Sequence, residues 1–344
     1  MFSKIAGCRA DLTNSMALSL SFACPPYDRI LPLVCGRVVP EGIKLHFLSL
    51  TVEEIFWRQL RHEEFDVSES SLSSYVLLRS RGDERFIAIP AFTSRFFRHS
   101  CVFINTQKGI VSPQDLKGKV VGVPEYQMTA AVWLRGIFQE EYGVFPRDIM
   151  WRTGGEETPG RLEKIELRLP PDVNWEPIPA DKTLSQMLDN GELDAMFTAR
   201  APSCFRRGSP NVARLFKNCR SVEEQYYKKT GIFPIMHTII IRNDVYKKNR
   251  WVAMNLYKAL CQAKDIVVGS FTETAALHVT LPWVSEEVER TRTVMGEDWW
   301  SYGVKKNRRT LETFLRYHYD QGLSARPMGV NELFSPETLD QFKI

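Results

Sequence analysis

Strand-like and helix-like segments alternate from residue 18 to residue 91 of this 344-residue chain, and the same alternation begins afresh at residue 101. Such alternation is the product of βαβ units and predicts parallel sheets covered by helices, here in two successive α/β units. In the first series Leu18 to Ala23 reads as a strand closed by Pro25-Pro26, and Tyr27 to Cys35 as a helix or turn. Ile43 to Leu50 alternates apolar and polar residues as a strand does. Thr51 opens a T-x-x-E cap for a helix to about Arg61. Phe65 to Val67 is a third strand followed at once by Ser68-Glu69-Ser70-Ser71, Leu72 to Arg79 is helical, and Phe86 to Ala91 is a fourth strand. In the second series Cys101 to Asn105, Lys119 to Val123 and Leu193 to Thr198 are strands. Between them lies a helix that buries Trp133, Leu134, Ile137 and Phe138 and stops at Gly143. Residues 154–181, rich in Gly, Pro and charge, read as loops with one strand, Lys164 to Leu169. Phe233 to Arg242 is a further β-run, and helices are expected over Trp251 to Gly269, Val284 to Val294 and Thr310 to Gln321.

Hydrophobic residues make up 44% and charged residues 25%, an ordinary balance for a soluble globular protein. A net charge of +4 without a basic run gives no reason to expect nucleic acid, and no apolar run reaches the roughly 18 residues of a membrane span. Seven cysteines, an odd number without a CxxC or metal-type cluster, favour reduced thiols and a cytoplasmic location. Met16 to Cys24 is faintly signal-like. However, Asp11 precedes it and no basic cluster or small-residue cleavage site accompanies it, so residues 1–17 read as an N-terminal extension.

Two β-runs carry polar groups that buried strands rarely tolerate unpaired. One is Ser94-Arg95-Phe96-Phe97-Arg98-His99-Ser100, between the fourth strand and the next; the other is Phe233 to Arg242, with His237. An extended chain would send Arg95, Phe97 and His99 one way and Phe96, Arg98 and Ser100 the other. A cleft holding a carboxylate-bearing ligand explains the pattern; a solvated strand end is the plainer alternative.

Two α/β lobes joined by strand-like crossings near 91–101 and 231–238 outline a type II periplasmic-binding-protein fold, and SPQDLKGKVVGV (112–123) is similar to the opening of the second lobe in such proteins. The lobes would be 18–100 plus 238–344 and 101–237, with a helical C-terminal part. The blocks FDVSESSLSSYVLL (65–78), PAFTSRFFRHSCVFIN (90–105), VGVPEYQMTAAVWLRGIFQEEYGV (121–144), GELDAMFTARAPS (191–203), GIFPIMHTIIIR (231–242) and MGEDWWSYGVKKNRRTLETFLRYHYDQGLS (295–324) together resemble the 4,5-dihydroxyphthalate decarboxylase family. The charged loop 154–181 stands outside these blocks. The resemblance implies a cytoplasmic carboxy-lyase that converts 4,5-dihydroxyphthalate to 3,4-dihydroxybenzoate and CO₂. The alternative on the same scaffold is a transporter's solute-binding protein for an aromatic or organic acid, without catalysis.

A small-molecule aromatic dicarboxylate calls for fixed donors, and arginine pairs with a carboxylate through a planar fork. Arg95, Arg98 and Arg200 are candidates, Arg200 being also readable as a solvated strand end. The helix start at Glu125 to Thr129, including Tyr126, offers backbone N–H groups, with Thr129 as a hydroxyl contact or a plain helix cap. Ring protonation needs a placed acid, and His237 and His99 lie in the two crossings, though a lone histidine in an apolar strand is more often a core residue. Glu69 follows a strand end and could accept a catechol proton, with Ser70 beside it either binding substrate or capping the next helix; Tyr27 and Asp28 hold the analogous position after the first strand. No cofactor is expected, although His99, His237 and Glu69 would form a 2-His-1-carboxylate metal set if they converged. Trp299, Trp300 and Tyr302 are expected to wall the ring, fill the core or form a subunit contact, and the aromatic C-terminal helices imply a homo-oligomer.

Overall fold

The computed structural model describes residues 17–340. The N-terminal extension expected over 1–17 falls outside them except for its last residue. Eleven strands among the described residues form two sheets. They are β1 (Leu18–Ala23), β2 (Ile43–Leu48), β3 (Val67–Ser71), β4 (Phe86–Arg95), β5 (Val102–Asn105), β6 (Val120–Val123), β7 (Met150–Thr153), β8 (Trp175–Pro177), β9 (Ala195–Phe197), β10 (Val212–Arg214) and β11 (Ile235–Arg242). The first sheet has the order β2-β1-β3-β11-β4 and the second β10-β5-β9-β6-β7-β8.

Both sheets are mixed, which corrects the all-parallel expectation. β1 runs parallel to β2 and β3, but β11 lies antiparallel between β3 and β4. The reason is connectivity. The chain leaves the first sheet at the end of β4 and re-enters at Ile235, whose partner is Arg95, so it can only run back along β4 toward the Arg242–Phe86 pair. The β11–β4 register shifts on both sides of His237. Irregularities of this kind bend a strand and re-aim a side chain.

The expected strand over Lys164 to Leu169 does not form. Ile165, Leu167 and Leu169 alternate as a strand would, but they pack on the core without a ladder partner, and β8 joins the sheet instead. Thr51 caps helix Val52–His62 as expected, its Oγ1 accepting from Glu54 N at 3.4 Å. Helix Thr129–Tyr142 is buried on every side from Thr129 to Phe138 and ends on Gly143, whose φ of 66° is the left-handed cap. Trp133 Nε1 donates to Ile235 O at 2.9 Å and ties this helix to β11. On its far side it meets helix Val304–Asp320, which begins before the expected Thr310.

That contact depends on Gly136, where an added Cβ would fall 2.0 Å from the Tyr317 ring. Gly136→Ala is therefore expected to destabilise the protein by roughly 1–3 kcal/mol through overpacking, read as a lowered midpoint in urea with an unchanged slope.

Candidate active site

β3 reads Val-Ser-Glu-Ser-Ser, and its two-residue period sends Glu69 and Ser71 to one face. Ser68 and Ser70 point the other way, where their buried hydroxyls find no partner among the described residues. Glu69 is fully buried. Its Oε1 accepts from Thr93 Oγ1 at 2.5 Å and lies 3.1 Å from His237 Nδ1; its Oε2 accepts from Tyr27 Oη at 3.2 Å. The histidine contact has the distance of an ion pair without the alignment of a hydrogen bond. Catalytic contacts in empty sites are often loose in this way and tighten on ligand. Burial, then the Glu69 charge, pushes the Tyr27 phenol far above its usual value, so Tyr27 remains a proton donor to that carboxylate. The His237 ring stands edge-on to Phe56, with centroids 5.0 Å apart at 87°.

His237 and Tyr27 line a cavity of about 210 Å³ between the sheets, with Glu69 directly behind them. Arg98 lines it too. Its Nε donates to Met236 Sδ at 3.2 Å and its Nη1 to Ala199 O at 3.2 Å, while Nη2 makes no bond among the described residues. Burial holds the guanidinium below its usual pKa, and among the described residues no carboxylate forms an ion pair with it. A desolvated, unpaired arginine at a cavity wall is a seat for a carboxylate. Thr129 opens helix Thr129–Tyr142, with Oγ1 2.9 Å from Ser71 Oγ and accepting from Ser73 N at 3.1 Å. Ala131 and Val132 N–H close onto Met128 O, so the open donors of the first turn belong to Thr129 and Ala130, both on the cavity wall.

Of the expected site residues, His237, Arg98, Thr129 and Arg200 line the cavity, and Glu69 contacts His237. Arg200 is largely exposed at the mouth and donates to Glu53 Oε1 at 2.5 Å. Arg95, His99, Ser70 and Tyr126 are not on the wall. Strict alternation over 94–100 fails because β4 ends at Arg95 and the chain turns through a 3₁₀ segment, His99–Cys101. Arg95 is buried against the C-terminal segment, donating to Ser301 O at 2.7 Å and to Asn307 Oδ1. His99 lies between Phe216 and Tyr226, and burial drops its pKa to about 4. It does not converge with His237 and Glu69, and among the described residues no three His, Cys, Asp or Glu side chains are grouped to hold a metal ion. Tyr126 is core, with Arg135 stacked 3.7 Å from its ring centre. Trp300 and Tyr302 pack inward, against Phe233 and Phe92 respectively.

Sequence reasoning missed Arg161 and Lys164. Both lie in the Gly/Pro/charge-rich stretch after β7, and both line the cavity, where they donate to the buried Glu125 Oε1. The loop thus reaches the site although it lies outside the blocks that carry the resemblance. Its only signal was charge concentrated among turn residues.

Two lobes with a polar cleft define the class. Over 94% of this chain, the fold matches the periplasmic aliphatic sulphonate binding protein SsuA from Escherichia coli (99% of that chain, TM-score 0.53, 12% identity). It also matches protein AF1704 from Archaeoglobus fulgidus, over 89% of this chain and 98% of that one (TM-score 0.51, 14% identity). At such identity the likeness concerns the periplasmic-binding-protein-like fold alone. No family model matches the chain. Sequence relatives are more specific. The 4,5-dihydroxyphthalate decarboxylase of Comamonas testosteroni is 42% identical over 327 residues, 95% of this chain and 99% of the relative. That of Pseudomonas putida is 47% identical over 211 residues, 61% of this chain and 82% of the relative. The chain belongs to the 4,5-dihydroxyphthalate decarboxylase family.

A carboxyl beside the buried Glu125 gives a pH signature. The Glu163 carboxyl, enclosed beside Glu125, is pushed up to about 8, by desolvation first and by the Glu125 charge second. The native state therefore keeps a proton that the unfolded chain has released, and stability falls as pH rises from about 5 to about 8, by roughly 1 kcal/mol per unit. Urea unfolding at a series of pH values should show this slope, and Glu163→Gln should flatten it.

Proposed function

We propose that this protein removes one carboxylate from 4,5-dihydroxyphthalate, giving 3,4-dihydroxybenzoate and CO₂, by protonating the ring in the cavity between the lobes. The His237–Glu69 contact at the cavity wall carries this reading, and the decarboxylase relatives supply the substrate. The hydroxyl para to the leaving carboxylate pushes electrons into the ring. The ipso carbon takes a proton from His237, whose imidazolium is oriented by the buried Glu69 carboxylate and given its counter-charge there. The C–C bond then breaks, its electron pair restores the aromatic ring, and neutral CO₂ leaves. One proton is consumed per turnover, and solvent returns it to His237, which is 16% exposed in its side chain. Arg98 holds substrate through its free Nη2. Tyr27 donates to Glu69 and keeps that carboxylate in place beside His237.

Purified protein is expected to release CO₂ from 4,5-dihydroxyphthalate at the same rate before and after treatment with a chelator. His237→Ala should lower kcat by roughly 10²- to 10⁴-fold, the usual worth of a placed acid. Arg98→Ala should cost roughly 10- to 100-fold in kcat/KM, the range of a lost charged hydrogen bond. Recovery of the ligand unchanged from wild-type protein would instead identify a binding protein.

We also propose a cytoplasmic homo-oligomer. The free thiols Cys24, Cys101 and Cys204, all buried, support a reducing compartment, and exposed Leu277, Leu281 and Trp283 support a subunit contact. Sedimentation velocity should give more than one subunit, and Trp283→Ser should shift it toward the monomer.

A further inference from the structure

The charges on the cavity wall are not distributed evenly. Four cationic side chains, Arg98, Arg161, Lys164 and Arg200, face two carboxylates, Glu53 and Glu125. Arg200 and Glu53 neutralise each other at the mouth. Glu125 takes both Arg161 and Lys164 on a single oxygen, Oε1. The two positive charges left over therefore sit in two places. One is Arg98, and the other is the Arg161–Lys164–Glu125 cluster.

The loop that carries this cluster is built into the protein. Leu184 N donates to Gly155 O at 2.9 Å and Ser185 N to Glu156 O at 3.0 Å. Thr198 Oγ1 donates to Glu156 Oε2 at 2.5 Å, and Ser203 N to Glu157 Oε1 at 2.6 Å. At Gly155 any Cβ would fall 1.6 Å from Thr158 O, so the turn admits only glycine. Arg161 has one terminal nitrogen, Nη1, without a bond among the described residues, and Lys164 Nζ spends one donor on Glu125. Donors remain for an incoming carboxylate.

We propose that Arg161 and Lys164 seat the carboxylate that the substrate keeps, and so set the preference for a ring with two adjacent carboxylates over one with a single carboxylate. This rests on the decarboxylase reading above. The proton goes to the carbon that loses CO₂, so the leaving carboxylate lies on the His237 side, where Arg98 is bonded to the neighbouring Met236. The second seat is then the place for the retained group. A clamp there does not oppose the reaction, because the charge it holds is present in substrate, transition state and product alike.

The test compares binding of 3,4-dihydroxybenzoate, which has the retained carboxylate, with catechol, which has none, by titration calorimetry. Wild-type protein should bind the carboxylate ligand more tightly by roughly 10- to 100-fold, the worth of charged hydrogen bonds. Lys164→Met and Arg161→Met should each shrink that ratio about tenfold or more, and Lys164→Arg should restore it. An unchanged ratio in both variants overturns the seat, as does equal weakening of both ligands, which would assign these residues to structure. CO₂ release by wild-type protein is measured separately. Its absence removes the decarboxylase reading, whereas the binding ratio judges the seat.

Discussion

A fully buried carboxylate, Glu69, is the constraint that orders the centre of this molecule. A charge removed from water is tolerated only when donors surround it. Here two donors and a histidine come from three segments distant in sequence. Tyr27 follows β1, Thr93 lies on β4 and His237 lies on β11. The first sheet must therefore place β11 between β3 and β4, which its antiparallel return does. Trp133 fixes the start of β11 from the other lobe, through Ile235 O. A local requirement, neutralising one carboxylate, is thus met by strand pairing between distant parts of the chain.

The same economy of charge shapes the cavity. Arg98 is kept nearly free of solvent and, among the described residues, forms no ion pair, so a ligand carboxylate finds a desolvated cation with little to displace. At the mouth the arrangement is reversed. Arg200 is exposed and Glu53 half-buried, and such surface pairs contribute only about 0–1 kcal/mol. Glu53 belongs to helix Val52–His62 and Arg200 follows β9, so their pair spans the cleft.

The outline of the fold was legible because it rests on local patterns. The T-x-x-E cap at Thr51, the glycine stop at Gly143 and the alternation of strands and helices each have a short-range cause. Glu69 and His237 were legible for a related reason: polar groups interrupting apolar strands need partners. Arg95 and His99 carried the same signal and are core residues, because the choice between a ligand and an internal partner is made by segments hundreds of residues apart. Arg95 meets Ser301 and Asn307, and His99 meets Phe216 and Tyr226. Nothing in the sequence marked Arg161 and Lys164 as facing a cavity, since the alternation over 164–169 suggests a strand and the segment has no ladder among the described residues.

The cations on the cavity wall sharpen what catalysis must add. Cations in a cleft stabilise an anionic ligand, and to the extent that they hold the leaving carboxylate they stabilise the ground state against losing CO₂. Binding alone therefore cannot accelerate the reaction; only an interaction that strengthens as the transition state forms can do so. A proton delivered to the ipso carbon is such an interaction, because the ring becomes basic at that carbon only as charge from the para hydroxyl reaches it. Under the proposed mechanism the acid is His237, which sits at an irregular register in β11 with the buried Glu69 carboxylate 3.1 Å away.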